Sequence, residues 1–332
     1  MRTAILKRCI YTALLALFTF APATASEKAP WDSWQAGLYR DHPLIGKIWS
    51  GREKRFVARE ELTEAVRKAR FVLLGEIHDN PDAHRLQAWL IGVAAEQRKP
   101  AVVLEMIPRD SAKKLQDYLA SPDANPAGLG AALDWKKWGW PDWKIYQPIA
   151  EAAFGLSLPL VAGDIDKPTL RKAARKGLGI LDAEERKKLL LTEDLSKELA
   201  DSMADELFLS HCELIPKEGL RPMGVVQRLR DAVLADNLLS AAGKDGAVLI
   251  AGNGHIRNDR AVPWYLTRRA PKAETLVVMM LEVTADAAKP EDIVPLAPDG
   301  SPTADYVWFT PQAEREDQCE ALRKHFSKKK KK

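Results

Sequence analysis

Three cysteines in 332 residues are too few for a disulfide-stapled mini-protein. No apolar run reaches the roughly 18 residues that a membrane-spanning helix requires, which excludes a multi-pass membrane protein. Glycine, at 19 residues, is too scarce for a collagen-like fibre. The chain has no internal repeat and no basic stripe interleaved with aromatics, so nucleic acid is not an expected partner. What remains is an ordinary globular composition, 46% hydrophobic and 29% charged. A chain of this length buries a large core as one big or two modest domains.

The formal net charge of +4 comes from the two ends. Arg2, Lys7 and Arg8 precede any acid, and Lys328–Lys332 is an unbroken lysine run. Setting those eight residues aside leaves 42 basic against 46 acidic residues, a mildly acidic body. The lysine run reads as a solvated tail that can also touch anionic lipid headgroups.

The amino terminus has the three parts of a secretory signal. Arg2, Lys7 and Arg8 form the positive region, Cys9 to Ala21 the apolar one, and Ala23-Thr24-Ala25 the small residues before cleavage. Cleavage is expected after Ala25, giving a periplasmic protein that begins at Ser26. Cys9 stands at the start of the apolar stretch rather than after it, so it is not a lipid-attachment site. The mature chain keeps Cys212 and Cys319, whose spacing suits no metal site and which an oxidising compartment permits to pair.

Short apolar runs at Phe71–Leu74, Ala101–Leu104, Pro159–Ala162, Ala247–Ile250, Leu276–Val283 and Tyr306–Phe309 read as five or six buried strands. Helical patterns alternate with them, which predicts an α/β fold with a largely parallel central sheet flanked by helices. Too few strands are present for a TIM barrel. Residues 26–54 read as irregular, 55–310 as the α/β domain, about 167–242 as a helical insert or cap, and 311–332 as a C-terminal helix and lysine tail. Asn80 and Pro81 mark the start of one helix.

Open α/β sheets bind ligands at the carboxyl ends of their strands. Glu76 and His78 follow the first run, Glu105 the second, Asp164 the third and His255 the fourth. Two imidazoles and two or three carboxylates are expected to converge there. Such a set binds a divalent metal or supplies a general base. Asp164 is equally well explained as a helix cap. His84, in the first turn after Asn80, overhangs the same edge. Trp135, Trp138, Trp140 and Trp143 hold four of the ten tryptophans within nine residues, with Tyr146 close behind. Such a cluster either walls a flat aromatic ligand or plugs the core.

Gly75-Glu76-Ile77-His78-Asp79-Asn80, Val102-Val103-Leu104-Glu105-Met106, the stretch Trp138 to Pro148, and Gly252-Asn253-Gly254-His255 with the following Arg257 to Pro263 resemble the ChaN family. This is the haem-binding uptake group of the Tiki and erythromycin-esterase-like superfamily. The resemblance spans about residues 55–270, with Gln227 and Asp231 included loosely. It implies haem as the ligand, a role in iron acquisition, and a homodimer and haem-uptake machinery as partners. Some members of the superfamily are hydrolases whose positions match Glu76, His78, Glu105 and His255, sometimes with a metal. This sequence has Ala83 before His84, where many members have paired histidines, and lacks the lipid-attachment cysteine many carry.

Two readings therefore stand side by side. One is a haem binder in which Trp140 and Trp143 flank the porphyrin and Tyr146, Tyr265, His84 or His255 meets the iron, with Tyr146 first. The other is a metal-dependent hydrolase in which Glu76, His78, Glu105 and His255 hold a divalent ion and carry the catalysis. The Trp135–Tyr146 segment favours the first, because a small-substrate hydrolase needs no such wall.

Overall fold

Phe71-Val72-Leu73-Leu74 lies wholly buried at the middle of the sheet, and the fold is arranged around it. The structure, a computed structural model, describes residues 29–329. The expected signal and the last three lysines lie outside the described residues.

In chain order the strands and helices begin with β1 (Ile48–Ser50), β2 (Arg55–Val57), α1 (Arg59–Lys68), β3 (Phe71–Glu76) and α2 (Pro81–Ala94). Next come β4 (Ala101–Pro108), α3 (Ala112–Leu119), α4 (Pro126–Ala132), α5 (Trp143–Gly155) and β5 (Leu160–Asp164). A helical excursion follows through α6 (Lys167–Lys176), α7 (Ala183–Lys188), α8 (Lys197–Ser210) and α9 (Arg221–Ala241). The chain then returns as β6 (Ala247–Gly252), α10 (Val262–Arg269), β7 (Thr275–Glu282), β8 (Tyr306–Thr310) and α11 (Gln318–Lys329).

The strands form one sheet in the order β2-β1-β8-β7-β3-β6-β4-β5. All pairs from β8 to β5 are parallel, and β1 is antiparallel to both β8 and β2. This is the α/β class that the alternating strands and helices predict. Side chains on β3 alternate between faces, as the two-residue strand period requires. Val72 and Leu74 join Leu62, Leu86, Leu90 and Ile149 under α1, α2 and α5. Phe71 and Leu73 join Leu229, Val233 and Leu238 of α9 on the other face. Leu86 and Leu90 are fully buried, and each contributes about 1.5–3 kcal/mol. Asn80 starts α2 as expected, its side chain accepting from the Asp82 and Ala83 amides at 2.9 and 3.2 Å.

Three expectations need correction. The sheet has eight strands among the described residues, because β1 and β2 are three residues long and too short to show a period. One of them, β1, falls within the stretch read as irregular. The C-terminal helix starts at Gln318 rather than Pro311, because the intervening chain is tied to the sheet edge. There Gln312 bridges Leu38, and the Ala313 amide donates to Glu282 at 3.0 Å.

Candidate functional site

The strands run past their apolar cores onto the polar residues, so the carboxylates are fixed by the sheet ladder. Glu76 ends β3, Glu105 lies within β4, and Asp164 ends β5. Glycine makes this edge possible at two points. A Cβ on Gly75 would lie 2.1 Å from Asn253 Oδ1, and one on Gly252 would lie 2.9 Å from His78 Nε2. Bare backbone at Gly252 is thus what lets the His78 ring lie across the end of β6.

Two carboxylate–imidazole pairs face each other across Glu105. His78 Nδ1 donates to Glu76 Oε1 at 2.8 Å. His255 Nδ1 donates to Asp231 Oδ1 at 2.5 Å, with the Gln227 side-chain amide 3.0 Å from the same nitrogen. Their opposite nitrogens converge on Glu105 Oε1, His255 Nε2 at 3.4 Å and His78 Nε2 at 3.9 Å. Glu76 is also approached by His84 Nδ1 at 3.0 Å and accepts the Tyr146 hydroxyl at 2.9 Å.

Arg230 of α9 brings a positive charge to this edge. It lies 2.6 Å from Glu105 Oε1, and its Nε donates to Asp164 Oδ2 at 2.8 Å. Glu105 Oε2 accepts the Gly252 amide at 2.7 Å. Among the described residues no group of three or more His, Cys, Asp or Glu side chains is arranged to hold a metal ion. Glu76, His78, Glu105 and His255 thus form a network of hydrogen bonds and close ion pairs, with the Arg230 guanidinium against Glu105. Asp164 is a partner of Arg230, and the cap of α6 is Asp166, which accepts the Thr169 amide at 2.8 Å.

Burial alone would push both carboxylates up, but their cationic neighbours prevail. The His84 and His78 rings hold Glu76 well below the usual carboxylate range. His255, Arg230 and His78 hold Glu105 at about 2. Burial opposes charge on His78 as well, yet Glu105 and Glu76 push it up to about 9. A proton held more tightly in the folded chain stabilises it. That contribution is complete below the unfolded value of about 6.5 and is lost as pH rises through about 9. Stability measured by urea is therefore expected to fall between these pH values, and His78→Gln is expected to flatten that part of the profile. An unchanged slope in the variant would show that His78 does not carry the effect.

A pocket of about 600 Å³ opens over this edge, lined among others by His78, Trp140, Met203, Glu206, His255 and Arg260. Of the residues expected to meet haem, it takes in Trp140 and His255. The His78 ring lies 4.7 Å from the Trp140 ring, centroid to centroid. The others lie elsewhere. Tyr146 is fully buried, and burial together with the Glu76 charge pushes its hydroxyl far up, so a tyrosinate there is disfavoured. Tyr265 is also fully buried, its hydroxyl donating to the Arg228 carbonyl at 3.3 Å. His84 is fully buried between Glu76 and the His78 carbonyl. Trp143 packs edge-on against Trp135 at 4.8 Å, in the core. Trp135 and Trp143 are thus a core plug, Trp138 and Trp140 are only partly buried, and Trp140 alone of the expected pair reaches the pocket.

Sequence reading missed Arg230, and it gave Asp231 no role. Both lie on the same side of α9 as Gln227, at helical spacing. The charged pair Arg230-Asp231 amid the apolar Leu229, Val233 and Leu234 was the signal available.

Residues 62–266 match the family model described as haem-binding uptake, Tiki superfamily, ChaN. Among solved structures, ChaN of Campylobacter jejuni, described with cofacial haem binding, aligns with a TM-score of 0.60 at 18% identity. That alignment covers 79% of this chain and 95% of the other. An erythromycin esterase mutant in its open conformation aligns with a TM-score of 0.42 at 15% identity, covering 82% and 99%. No curated protein matches the chain.

Proposed function

The chain belongs to the ChaN haem-binding uptake family of the Tiki superfamily, and on that premise we propose that it binds haem in the pocket over the sheet edge and serves iron acquisition in the periplasm. The observation that carries this reading is the setting of His78. Its Nδ1 is committed to Glu76, its ring lies beside Trp140, and its side chain is one-third exposed on the pocket. Histidines that bind metal characteristically donate their other ring nitrogen to a carboxylate, which fixes the tautomer and orients the free nitrogen. His78 Nε2 is that nitrogen; with the ring pushed up to about 9 in the ligand-free chain, it would release its proton on meeting the iron. His255, held in the same way by Asp231, is the second candidate. The pocket has room for a large flat ligand, and Trp140, Met203 and Leu207 give it apolar surface. Haem brings the iron and its electronic chemistry. The chain supplies the imidazole, the aromatic wall and the carboxylate behind the imidazole.

Two features support export. Residues 1–25 have the layout of a cleaved signal. Cys212 and Cys319 are joined in a disulfide, with Cα atoms 5.4 Å apart, and such bonds persist in oxidising compartments.

Haemin titration of the mature protein is expected to give a saturable, shifted Soret band. His78→Ala is expected to weaken binding at least about tenfold, the equivalent of about 1.4 kcal/mol, and to move the band. His255→Ala is expected to have a smaller effect. A wild-type titration that never saturates would overturn the proposal, and an unmoved band in His78→Ala would transfer the iron to His255.

A further inference from the structure

The Arg257-Asn258-Asp259-Arg260 stretch has no role in the iron site, yet it places one buried cation, Arg260, at the pocket wall and a second, Arg257, beside it on the same two carboxylates. Arg257 and Arg260 are 5% and 4% exposed. Asp259 serves both. It accepts from Arg257 Nε at 3.0 Å and Nη2 at 2.8 Å, and from Arg260 Nη1 at 3.2 Å. One buried carboxylate cannot neutralise two guanidiniums. The second negative charge is Glu206, which pairs with Arg260 Nη2 and lies 3.3 Å from Arg257 Nη1.

Glu206 differs from Asp259 in how it is held. Its side chain is 44% exposed, whereas that of Asp259 is 5% exposed. It is carried by α8, a helix with no buried residue. Both Glu206 and Arg260 line the pocket that His78 opens into. The floor between them is bare backbone at Gly254, where a Cβ would come within 3.3 Å of Glu206 Oε1. Arginine forks are suited to planar carboxylates and lose little on exchanging one for another. Displacing Glu206 into water is correspondingly cheap, while leaving the guanidiniums unpaired is costly.

We propose that Arg257 and Arg260 form a carboxylate-binding subsite of this pocket, which Glu206 fills in the ligand-free chain and vacates when a carboxylate of the bound ligand takes its place. The choice of ligand rests on the haem-binding reading. Haem carries two propionates, and α8 lines the same pocket as His78 through Met203, Glu206, Leu207 and Ser210. The exchange also gives α8 a reason to move on binding, since Glu206 is one of its ties to the core.

The test compares haemin, its dimethyl ester and iron-free protoporphyrin on the full mature chain. Arg260→Gln is expected to weaken haemin and protoporphyrin about tenfold or more and to leave the ester unchanged, as loss of a charge-assisted hydrogen bond implies. Glu206→Gln, on an exposed helix and safe for folding, is expected to tighten both free acids and to leave the ester unchanged. Equal losses for acid and ester in Arg260→Gln, or no gain in Glu206→Gln, would overturn the subsite. If wild-type protein binds haemin no better than protoporphyrin, iron ligation at His78 fails while the subsite stands. Failure to bind any of the three removes both.

Discussion

Replacing Arg230 with leucine is expected to lower the unfolding free energy by about 3–5 kcal/mol, the usual cost of breaking a buried ion pair from one side. Its guanidinium touches two carboxylates at once, Glu105 at 2.6 Å and Asp164 at 2.6 Å. Glu105 is 1% exposed, and it accepts only one backbone amide, from Gly252. Without Arg230 its charge would rest on that amide and on His255 and His78 at 3.4 and 3.9 Å. The carboxyl would then take up a proton, and its value of about 2 would climb. The pH dependence that Glu105 lends to stability in the acid range would therefore flatten, because that contribution scales with how far its folded value lies below the unfolded one. Arg230→Lys keeps a charge but cannot fork between two acids, so an intermediate loss is expected. Urea denaturation of the three proteins at neutral pH measures the series. A loss under about 1 kcal/mol in Arg230→Leu, the scale of a surface pair, would show that water reaches Glu105 and that the network is not dry.

How much of this was legible in the sequence follows from where each signal resides. The central strands announced themselves because a strand covered on both faces is an unbroken apolar run, as Phe71–Leu74 and Ala247–Ile250 are. The convergence of Glu76, His78, Glu105 and His255 followed from topology, since parallel strands bring their carboxyl ends to one edge. Local pattern could not reveal β1 and β2, which are too short to have a period and are paired antiparallel at the sheet's edge. Nor could it show that Tyr146 faces inward. Tyrosine suits a pocket wall and a core equally, and only the packing of α5 against α2 decides for the core, where the hydroxyl reaches Glu76. Arg230 was hidden for a similar reason: in an exposed helix its position is unremarkable, and its meaning depends on β4 and β5 lying beneath α9. Resemblance to a family supplied what residues alone left open between haem and a divalent ion, namely the expectation of haem.

Reduction of the Cys212–Cys319 bond is expected to have the second large effect. The two cysteines are 107 residues apart, and opening a loop of about 100 residues in the denatured chain costs about 4–5 kcal/mol by the chain-entropy argument. The bond also joins two segments that line the pocket, α8 through Leu207 and Ser210 and the start of α11 through Gln318. The turn that carries Cys212 is itself a compromise. After α8 the Cys212 amide donates to the Leu209 carbonyl at 2.9 Å, and the Glu213 amide donates to the Phe208 carbonyl at 2.9 Å. This helix ending calls for a left-handed residue, most often glycine, and Cys212 adopts it at φ +57°. A side chain there costs about 1–2 kcal/mol, which the chain tolerates because glycine cannot form the bond. Cys212→Ser and Cys212→Gly both remove the disulfide, but only the second relieves the backbone. Cys212→Gly is therefore expected to be the more stable of the two by up to about 1 kcal/mol, with both well below the oxidised parent. Urea midpoints of the oxidised, reduced and substituted chains measure these differences. Hydrogen exchange along α8 should rise with the bond open, because that helix has no buried residue to hold it. Identical midpoints for oxidised and reduced protein would show that the bond does not stabilise the folded chain.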